Sequence, residues 1–134
     1  MFRVVDLSRL LPGPFASLCL AGMGMEVIKV EDPQGGDYLR SFPPFRQDGI
    51  SAWFYALNRG KKSVALGLKN KEDRDQLIEL LSTADVLLES FRPGVLKRLG
   101  LDPEELQQQF PRLVIASLTG WGQQGDLVQL PGHD

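Results

Sequence analysis

The amino-acid sequence predicts an α/β fold with a doubly wound parallel sheet. Short apolar runs that suit buried strands alternate along the chain with segments that suit helices. Several of the predicted helices have proline near their start or glycine at their end. Because the predicted strands are joined through helices rather than tight hairpins, they are expected to be parallel, with right-handed crossovers. The 134 residues suit one domain, and 43% apolar residues suffice for a core.

The first part of the chain is predicted to form a strand–helix–strand unit followed by a long loop. Strands are expected at 2–7 and 26–31. The helix between them is expected to begin at Pro14 and to bury one apolar stripe, consisting of Phe15, Leu18, Cys19 and Gly22. Residues 32–49 are rich in proline and glycine and predict an irregular loop. A loop of this length is usually functional or mobile.

The second part continues the alternation of strands and helices. In order, we expect a helix at 51–57, a strand at 63–68, a helix after Asn70, a strand at 86–88, a short helix at 95–99, a helix after Asp102 and a strand at 113–118. Asn70 and Asp102 are expected to cap their helices, because a short polar side chain can accept from the free amides of the first turn. The helix after Asn70 is expected to bury Leu77, Ile78, Leu80 and Leu81.

Composition excludes several classes of function. The formal net charge of −2 argues against a general nucleic-acid binder, which needs a basic excess. No apolar run approaches the ~18–20 residues of a membrane span, so no membrane partner is expected. The single cysteine, Cys19, cannot form an internal disulfide and is expected to be a core residue. A cytoplasmic location is the resulting expectation.

Residues 85–100 form the stretch with the most distinctive pattern. An apolar strand leads through a polar turn to Pro93, which is expected to be the first residue of a short helix that ends at Gly100. Ligands of open α/β sheets bind at such turns. The helix start and three basic residues could hold a phosphate; these residues are Arg92, Lys97 and Arg98. The alternative is a solvated basic helix end.

Short motifs lie along the whole chain. They include Val5-Asp6-Leu7-Ser8, Pro12-Gly13-Pro14-Phe15, Val27-Ile28-Lys29-Val30-Glu31, Asn58-Arg59-Gly60-Lys61-Lys62-Ser63, Glu89-Ser90-Phe91-Arg92-Pro93-Gly94 and Gly120-Trp121-Gly122-Gln123. In this order they resemble the CaiB/BaiF family, the family III CoA-transferases, which includes the α-methylacyl-CoA racemases. The resemblance implies a Rossmann-like large domain, of which this chain is expected to be an N-terminal part. It also implies an interlocked dimer, and we expect a homo-oligomer.

The resemblance implies coenzyme A as the ligand, bound as a thioester substrate, with no metal and no redox cofactor. The residues that it implies for CoA binding are Leu10, Leu11, Leu66, Lys69, Ser90, Phe91 and Arg98. One position departs from the family pattern, because Asp32 stands where many members carry an arginine that contacts CoA. A carboxylate cannot replace a cation beside a phosphate. Either another basic residue such as Arg40 compensates, or the nucleotide part of CoA is held less tightly.

His133, the only histidine, lies in the segment Gly132-His133-Asp134. This segment resembles the racemase form of the family, in which the histidine is a catalytic acid/base group. Racemising a 2-methylacyl thioester requires proton transfer on both faces of the α-carbon, and histidine suits that task near neutral pH. The alternative is a solvent-exposed histidine without a catalytic role. The second base of racemases, like the nucleophilic aspartate of transferases, is expected to lie beyond these residues.

Three functions therefore stay open at this point. The first is the CoA-binding part of a racemase-like enzyme that moves the α-proton of a 2-methylacyl-CoA. The second is the same part of a family III CoA-transferase, which requires an acceptor acid whereas a racemase does not. The third is a non-catalytic CoA-binding or assembly module. In each case we expect this chain alone to be catalytically inactive and to associate into a dimer or larger assembly.

Overall fold

One parallel sheet organises residues 1–132, the part of the chain that the computed structural model describes. Its five strands have the order β3-β2-β1-β4-β5, and every neighbouring pair is parallel. The strands are β1 (Arg3–Asp6), β2 (Glu26–Glu31), β3 (Lys62–Ala65), β4 (Val86–Glu89) and β5 (Val114–Ser117). The predicted α/β class, with its alternating strands and helices, is confirmed.

Helices fill the connections between these strands. They are α1 (Pro12–Gly22), α2 (Ala52–Asn58), α3 (Lys71–Leu81), α4 (Val95–Arg98) and α5 (Pro103–Gln109), with a 3-10 helix at Tyr38–Ser41 inside the long loop. The predicted caps are confirmed, because Asn70 accepts from the Glu72 amide and Asp102 accepts from the Glu104 amide. None of the helices in residues 1–132 is long and apolar enough to cross a membrane.

The direction in which strands are added to the sheet reverses between β1 and β4. From β1 the chain adds β2 and then β3 on one side, and it returns to place β4 and β5 on the other side. The carboxyl ends of β1 and β4 are direct neighbours, since Asp6 is in register with Leu88. Because the connections leave in opposite directions here, a crevice is expected outside these two strand ends.

Apolar side chains pack on both faces of the sheet, which confirms the doubly wound arrangement. On one face Val5 and Leu87 join a large cluster with leucines of α3, α4 and α5. On the other face Val4 and Leu88 belong to a smaller cluster against α1. Neighbouring strand residues point to opposite faces, so both faces are buried through the alternation along β1 and β4.

The predicted buried stripe of α1 is wrong. The helix begins at Pro12 rather than Pro14, and the residues that it buries are Gly13, Pro14 and Ser17. Phe15 is 56% exposed, and Cys19 is also exposed rather than in the core. Because α1 is apolar on most sides, periodicity alone could not select its inner face. Small residues face inward since the turn before the helix lies against it: a Cβ atom at Gly13 would sit 2.1 Å from the Ser8 Cβ.

Two glycine substitutions in α1 should therefore have opposite effects. Gly13→Ala is expected to lower the free energy of unfolding by about 1–3 kcal/mol, because the new methyl group clashes with Ser8. Gly22→Ala is the matched control, since a Cβ there meets nothing within 4 Å. It is expected to leave stability unchanged or raise it by up to about 1 kcal/mol. Urea unfolding followed by far-UV circular dichroism measures both, and equal effects would contradict the close approach at Gly13.

The short helix predicted at 95–99 is confirmed as α4, but the prediction that Pro93 is its first residue is wrong. Pro93 lies outside the helix, which begins at Val95 after Gly94 in the left-handed conformation (φ +83°) and spans only four residues. Gly100 is left-handed, as expected for a helix end (φ +75°). One turn of helix has little dipole, so α4 by itself is a weak anion site.

Candidate functional site

The turns after β1 and β4 meet beyond the two neighbouring strand ends, where the topology predicts a crevice. The Leu7 amide donates to the Leu88 carbonyl (2.8 Å), and the Arg9 amide donates to Ser90 Oγ (3.2 Å). Ser90 and Phe91 thus lie beside the residues that follow β1. The structure therefore brings together four of the residues that the sequence proposes for ligand binding. These are Leu10, Leu11, Ser90 and Phe91, and with Arg9 and Tyr38 we call them the switch-point site.

The side chain of Arg9 lies between two aromatic rings. Its guanidinium carbon is 5.5 Å from the ring centroid of Tyr38 and 5.8 Å from that of Phe91. The guanidinium also donates to Tyr38 Oη (3.3 Å). Arg9 is half-buried, and no carboxylate in residues 1–132 pairs with it. Its positive charge is therefore available to an anionic ligand in the crevice.

Leu10 adopts a strained backbone conformation. Its φ is +63°, and it is the only non-glycine residue with positive φ in the described part of the chain. For an L-residue this conformation costs roughly 1–2 kcal/mol. The Leu10 amide donates to Asp37 Oδ1 (3.2 Å), while the next side chain, Leu11, is 56% exposed. Such strain concentrates at functional sites, where the surrounding structure maintains it.

Two buried lysine–carboxylate pairs lie beneath the turn. Lys29 Nζ is 2.8 Å from Asp37 Oδ2, with side chains only 2% and 0% exposed, and Lys29 also donates to the Ser8 carbonyl (2.9 Å). Lys61 Nζ is 3.7 Å from Asp6 Oδ2. Burial lowers the pKa of Lys61 to about 8, although the neighbouring Asp6 carboxylate acts in the opposite direction. The two lysines and the two aspartates thus neutralise one another beneath the turn that follows β1.

Glu31 is the centre of a further polar cluster at the end of β2. Burial raises the pKa of this carboxyl, but hydrogen bonds from Arg40, Ser63 and the Asp37 amide outweigh burial and lower it to about 2. Arg40 binds Glu31 with both Nε and Nη2 (2.7 Å each) and stacks over Phe54, 3.8 Å from the ring centroid. Its guanidinium is therefore committed to Glu31, which argues against Arg40 as the replacement for the missing arginine.

Asp32 has a structural role. Its side chain accepts from the Gln34 amide (2.8 Å), and its carbonyl accepts from the Gly36 amide (2.8 Å). Asp32 thus begins the turn that leads towards Asp37 and Tyr38. An aspartate suits this position because its short side chain can bond to the backbone two residues further on.

The remaining predicted site residues lie apart from the switch-point site. Leu66 is a core residue, 5% exposed, whose amide donates to the Glu31 carbonyl. Lys69 and Arg98 are exposed, and neither forms an ion pair within residues 1–132. β3 lies two strands from β1, which places Leu66 and Lys69 roughly 10 Å along the sheet edge. His133 lies outside the described residues.

The basic turn at 58–62 forms internal contacts. Arg59 donates to the Ala56 carbonyl (2.5 Å), and Lys62 pairs with Glu26 (2.5 Å). The Lys61 side chain is only 1% exposed. These contacts favour a structural role for the turn over ligand binding.

A cavity, which we call the β4–β5 cleft, lies beyond the ends of β4 and β5. It has a volume of about 220 Å³, and residues that line it include Glu89, Lys97, Asp102, Glu104, Ser117 and Gln123. Lys97 is paired with Asp102 (2.8 Å), so the charge that remains in the cleft is negative. A phosphate-bearing ligand is therefore disfavoured here, whereas the switch-point site offers Arg9.

These features define an α/β protein with a parallel sheet and a candidate ligand site at the reversal of strand order. The family model described as CoA-transferase family III matches residues 2–134, and the chain belongs to this family. A crystal structure of a CaiB/BaiF family protein from Brucella suis superposes with a TM-score of 0.92 at 38% identity, over 99% of this chain and 36% of that one. The predicted family and fold are thus confirmed.

Curated relatives favour one of the three functions. The chain is 45% identical over 131 residues to the acetyl-CoA:oxalate CoA-transferase of Acetobacter aceti, covering 98% of this chain and 33% of the relative. It is 44% identical over 138 residues to the succinate–glutarate CoA-transferase of Agrobacterium fabrum, covering 98% and 34%. The chain therefore spans about a third of the length of these relatives. Both relatives are named as CoA-transferases, which supports the transferase hypothesis rather than the racemase hypothesis.

Proposed function

We propose that this chain is the CoA-binding part of a family III CoA-transferase that moves CoA between carboxylic acids. The observation that carries the proposal is the meeting of Arg9, Ser90 and Phe91 at the switch point between β1 and β4. Ligands of open parallel sheets bind in this type of crevice. Membership of the family and the names of the relatives support CoA as the ligand of this site.

The chemistry of the switch-point site suits CoA. The nucleotide end of CoA carries phosphates and a flat adenine ring, so it needs a cation and aromatic surface. Arg9 would bind a phosphate, and the rings of Tyr38 and Phe91 would pack against adenine. The exposed Leu11 would contact the apolar part of the pantetheine arm.

Lys69 and Arg98 stay proposed as further cations for the phosphates. Both are exposed and carry no ion pair in residues 1–132, so they are free to turn towards a ligand. Since Arg40 is held by Glu31, we propose that Arg9 supplies part of the positive charge that other members gain from the arginine at the position of Asp32.

The proposed reaction is the transfer of CoA between carboxylic acids rather than racemisation. In the family, the acyl group of the donor thioester moves to an aspartate and CoA leaves as the thiolate. CoA ends as the thioester of the acceptor acid, and the donor acid is released. The resemblance implies no aspartate of that role among these 134 residues. This chain alone would therefore bind CoA without transferring it. His133 takes no part in the proposal because the structure does not describe it.

Arg9→Ala is expected to weaken CoA binding by about ten- to a hundredfold. This range corresponds to the loss of one charge-assisted hydrogen bond together with the ring contacts. Isothermal titration calorimetry of the chain with CoA measures the dissociation constant. The effect should shrink as salt is raised, because an exposed charge pair is screened.

Arg112→Ala is the matched control for this titration. Arg112 is exposed and precedes β5, so it lies at the amino-terminal edge of the sheet, opposite the site. The control should bind CoA like the unsubstituted chain, and Arg98→Ala tests the further cation in the same series. Folded protein that does not bind CoA, or an Arg9→Ala variant indistinguishable from the control, would contradict the proposal.

A further inference from the structure

The backbone conformation of the turn between β1 and α1 is stabilised by buried charged side chains of other segments. The residues of the turn itself do not favour that conformation. Leu10 has φ +63°, a conformation that glycine would adopt freely but leucine does not. No glycine lies at residues 7–11, so nothing in the local sequence favours this backbone shape. Its stability must therefore come from contacts with other segments.

Asp37 supplies the main contact. One carboxylate oxygen accepts from the Leu10 amide (3.2 Å) and from the Leu39 amide (3.1 Å), while the other lies 2.8 Å from Lys29 Nζ. A single side chain thus joins the turn after β1 to the loop that carries Tyr38. Because Asp37 is fully buried, these bonds are not in competition with water.

Lys29 supplies the second contact. Its side chain leaves the middle of β2 and donates to the Ser8 carbonyl (2.9 Å), two residues before Leu10. Ser8 is fixed further by Asp6, whose carboxylate accepts from both the Ser8 amide (2.8 Å) and the Ser8 hydroxyl. The backbone is therefore fixed on both sides of Arg9, at the Ser8 carbonyl and at the Leu10 amide.

A purely stabilising role would not need charges at this place. Burying a lysine–carboxylate pair carries a desolvation cost, and an apolar pair of the same volume is often at least as stable. What the charged pair adds is its directed bonds to Ser8 and Leu10. These bonds hold the backbone on both sides of Arg9, whose guanidinium carbon lies 5.8 Å from the ring centroid of Phe91.

We propose that Lys29 and Asp37 are positioning residues of the switch-point site, which hold the turn at Ser8–Leu10 in its strained shape so that Arg9 faces the ligand. The proposal rests on the proposed function, since it assigns these residues to the same CoA site. Neither residue contacts the ligand in this account. Through Asp37, the conformation of the long loop and that of the turn depend on each other.

The conformation of Leu10 can be tested without a ligand. At positive φ the amide hydrogen lies close to its own Hα, so an isotopically labelled chain should show a strong intra-residue amide–Hα NOE at Leu10. Asp37→Ala is expected to abolish this strong NOE while the sheet persists. Leu106→Ala is the matched control, because it destabilises the core at α5 without removing a hydrogen bond to the turn, and it should leave the NOE unchanged. A strong NOE in folded Asp37→Ala would overturn the proposal.

The positioning role is tested by a double-mutant cycle on CoA affinity. Asp37→Ala is expected to raise the dissociation constant at least tenfold. In a Leu10→Gly background the same substitution should raise it clearly less, because glycine adopts positive φ without the anchor. Equal effects in both backgrounds would mean that Asp37 acts only through general stability and would overturn the positioning role.

Two further outcomes are also decisive. If Asp37→Ala does not fold, amide hydrogen exchange is measured in the unsubstituted chain instead. A Leu10 amide as protected as that of Leu7 supports the bond from Leu10 to Asp37. A freely exchanging Leu10 amide overturns it. Absence of CoA binding by the folded, unsubstituted chain would overturn the proposed function and the positioning role with it. The NOE comparison would still confirm or reject the anchoring of Leu10.

Discussion

Lys29→Met is expected to lower the free energy of unfolding by about 3–5 kcal/mol, a large part of the stability of a domain of this size. Methionine fills nearly the same space, so packing should change little. The loss arises because Asp37, fully buried, is left without its cation. Urea unfolding followed by far-UV circular dichroism measures the effect.

Lys62→Met is the matched control for this substitution. Lys62 also pairs with a carboxylate, that of Glu26, but its side chain is 71% exposed. Solvent screens an exposed pair, so the control should be nearly neutral. The double variant Lys29→Met with Asp37→Leu should recover part of the loss, because no unpaired charge remains. An equal loss in the free energy of unfolding for Lys29→Met and Lys62→Met would contradict the claim that Lys29 and Asp37 form a buried ion pair.

Acid is expected to remove a contribution of about 3 kcal/mol that the Glu31 cluster makes to stability. The pKa of Glu31 is lowered from its ordinary 4.5 to about 2 in the folded chain, because hydrogen bonds from Arg40, Ser63 and the Asp37 amide outweigh the effect of burial. The unfolded chain therefore takes up this proton first as the pH falls. The contribution is complete above about pH 4.5 and is lost progressively towards pH 2.

Glu31→Gln should remove this part of the acid dependence. The variant is expected to be less stable than the unsubstituted chain at neutral pH and to approach its stability near pH 2. Glu79→Gln is the control, because Glu79 is exposed and forms no ion pair in the described residues. Urea unfolding at a series of pH values gives both curves. If the stability of the Glu31→Gln variant and that of the unsubstituted chain depended on pH in the same way, the cluster would not lower the pKa of Glu31.

Local signals in the sequence predicted most of the secondary structure. The bounds of β2, Glu26–Glu31, agree with the prediction, and Asn70 and Asp102 cap their helices as expected. These features depend on a few adjacent residues, so the sequence contains what determines them. The inner face of α1 depends instead on what lies beneath it, and an apolar helix gives no periodic signal to select that face.

The candidate site was predictable only in part. The turn after β4 and the residues after β1 were each identified, but their contact depends on the order of strands in the sheet. Arg9 and Ser90 are 81 residues apart, and no local pattern shows that β1 and β4 are neighbours. Arg9 was therefore missed, although its position directly before Leu10 could have suggested it.

The buried charges had a visible signal in the sequence. Lys29 lies among Val27, Ile28 and Val30 in a strand that is otherwise apolar, and a lysine in a central strand of a parallel sheet requires a partner. What the sequence could not supply is the partner itself. Asp37 lies in the long loop, and only the folded chain brings it to Lys29.

The most direct test of the placement of CoA at the switch-point site is a titration with CoA that is monitored through the backbone amide NMR signals. The switch-point site predicts that the largest shifts occur at residues 8–11, at Tyr38 and at residues 90–91. Their dependence on CoA concentration should saturate and give the dissociation constant that calorimetry measures. The control Arg112→Ala should give the same pattern. Shifts centred on the β4–β5 cleft around Glu104 and Gln123, or no saturable shifts in folded protein, would contradict the placement of CoA between β1 and β4.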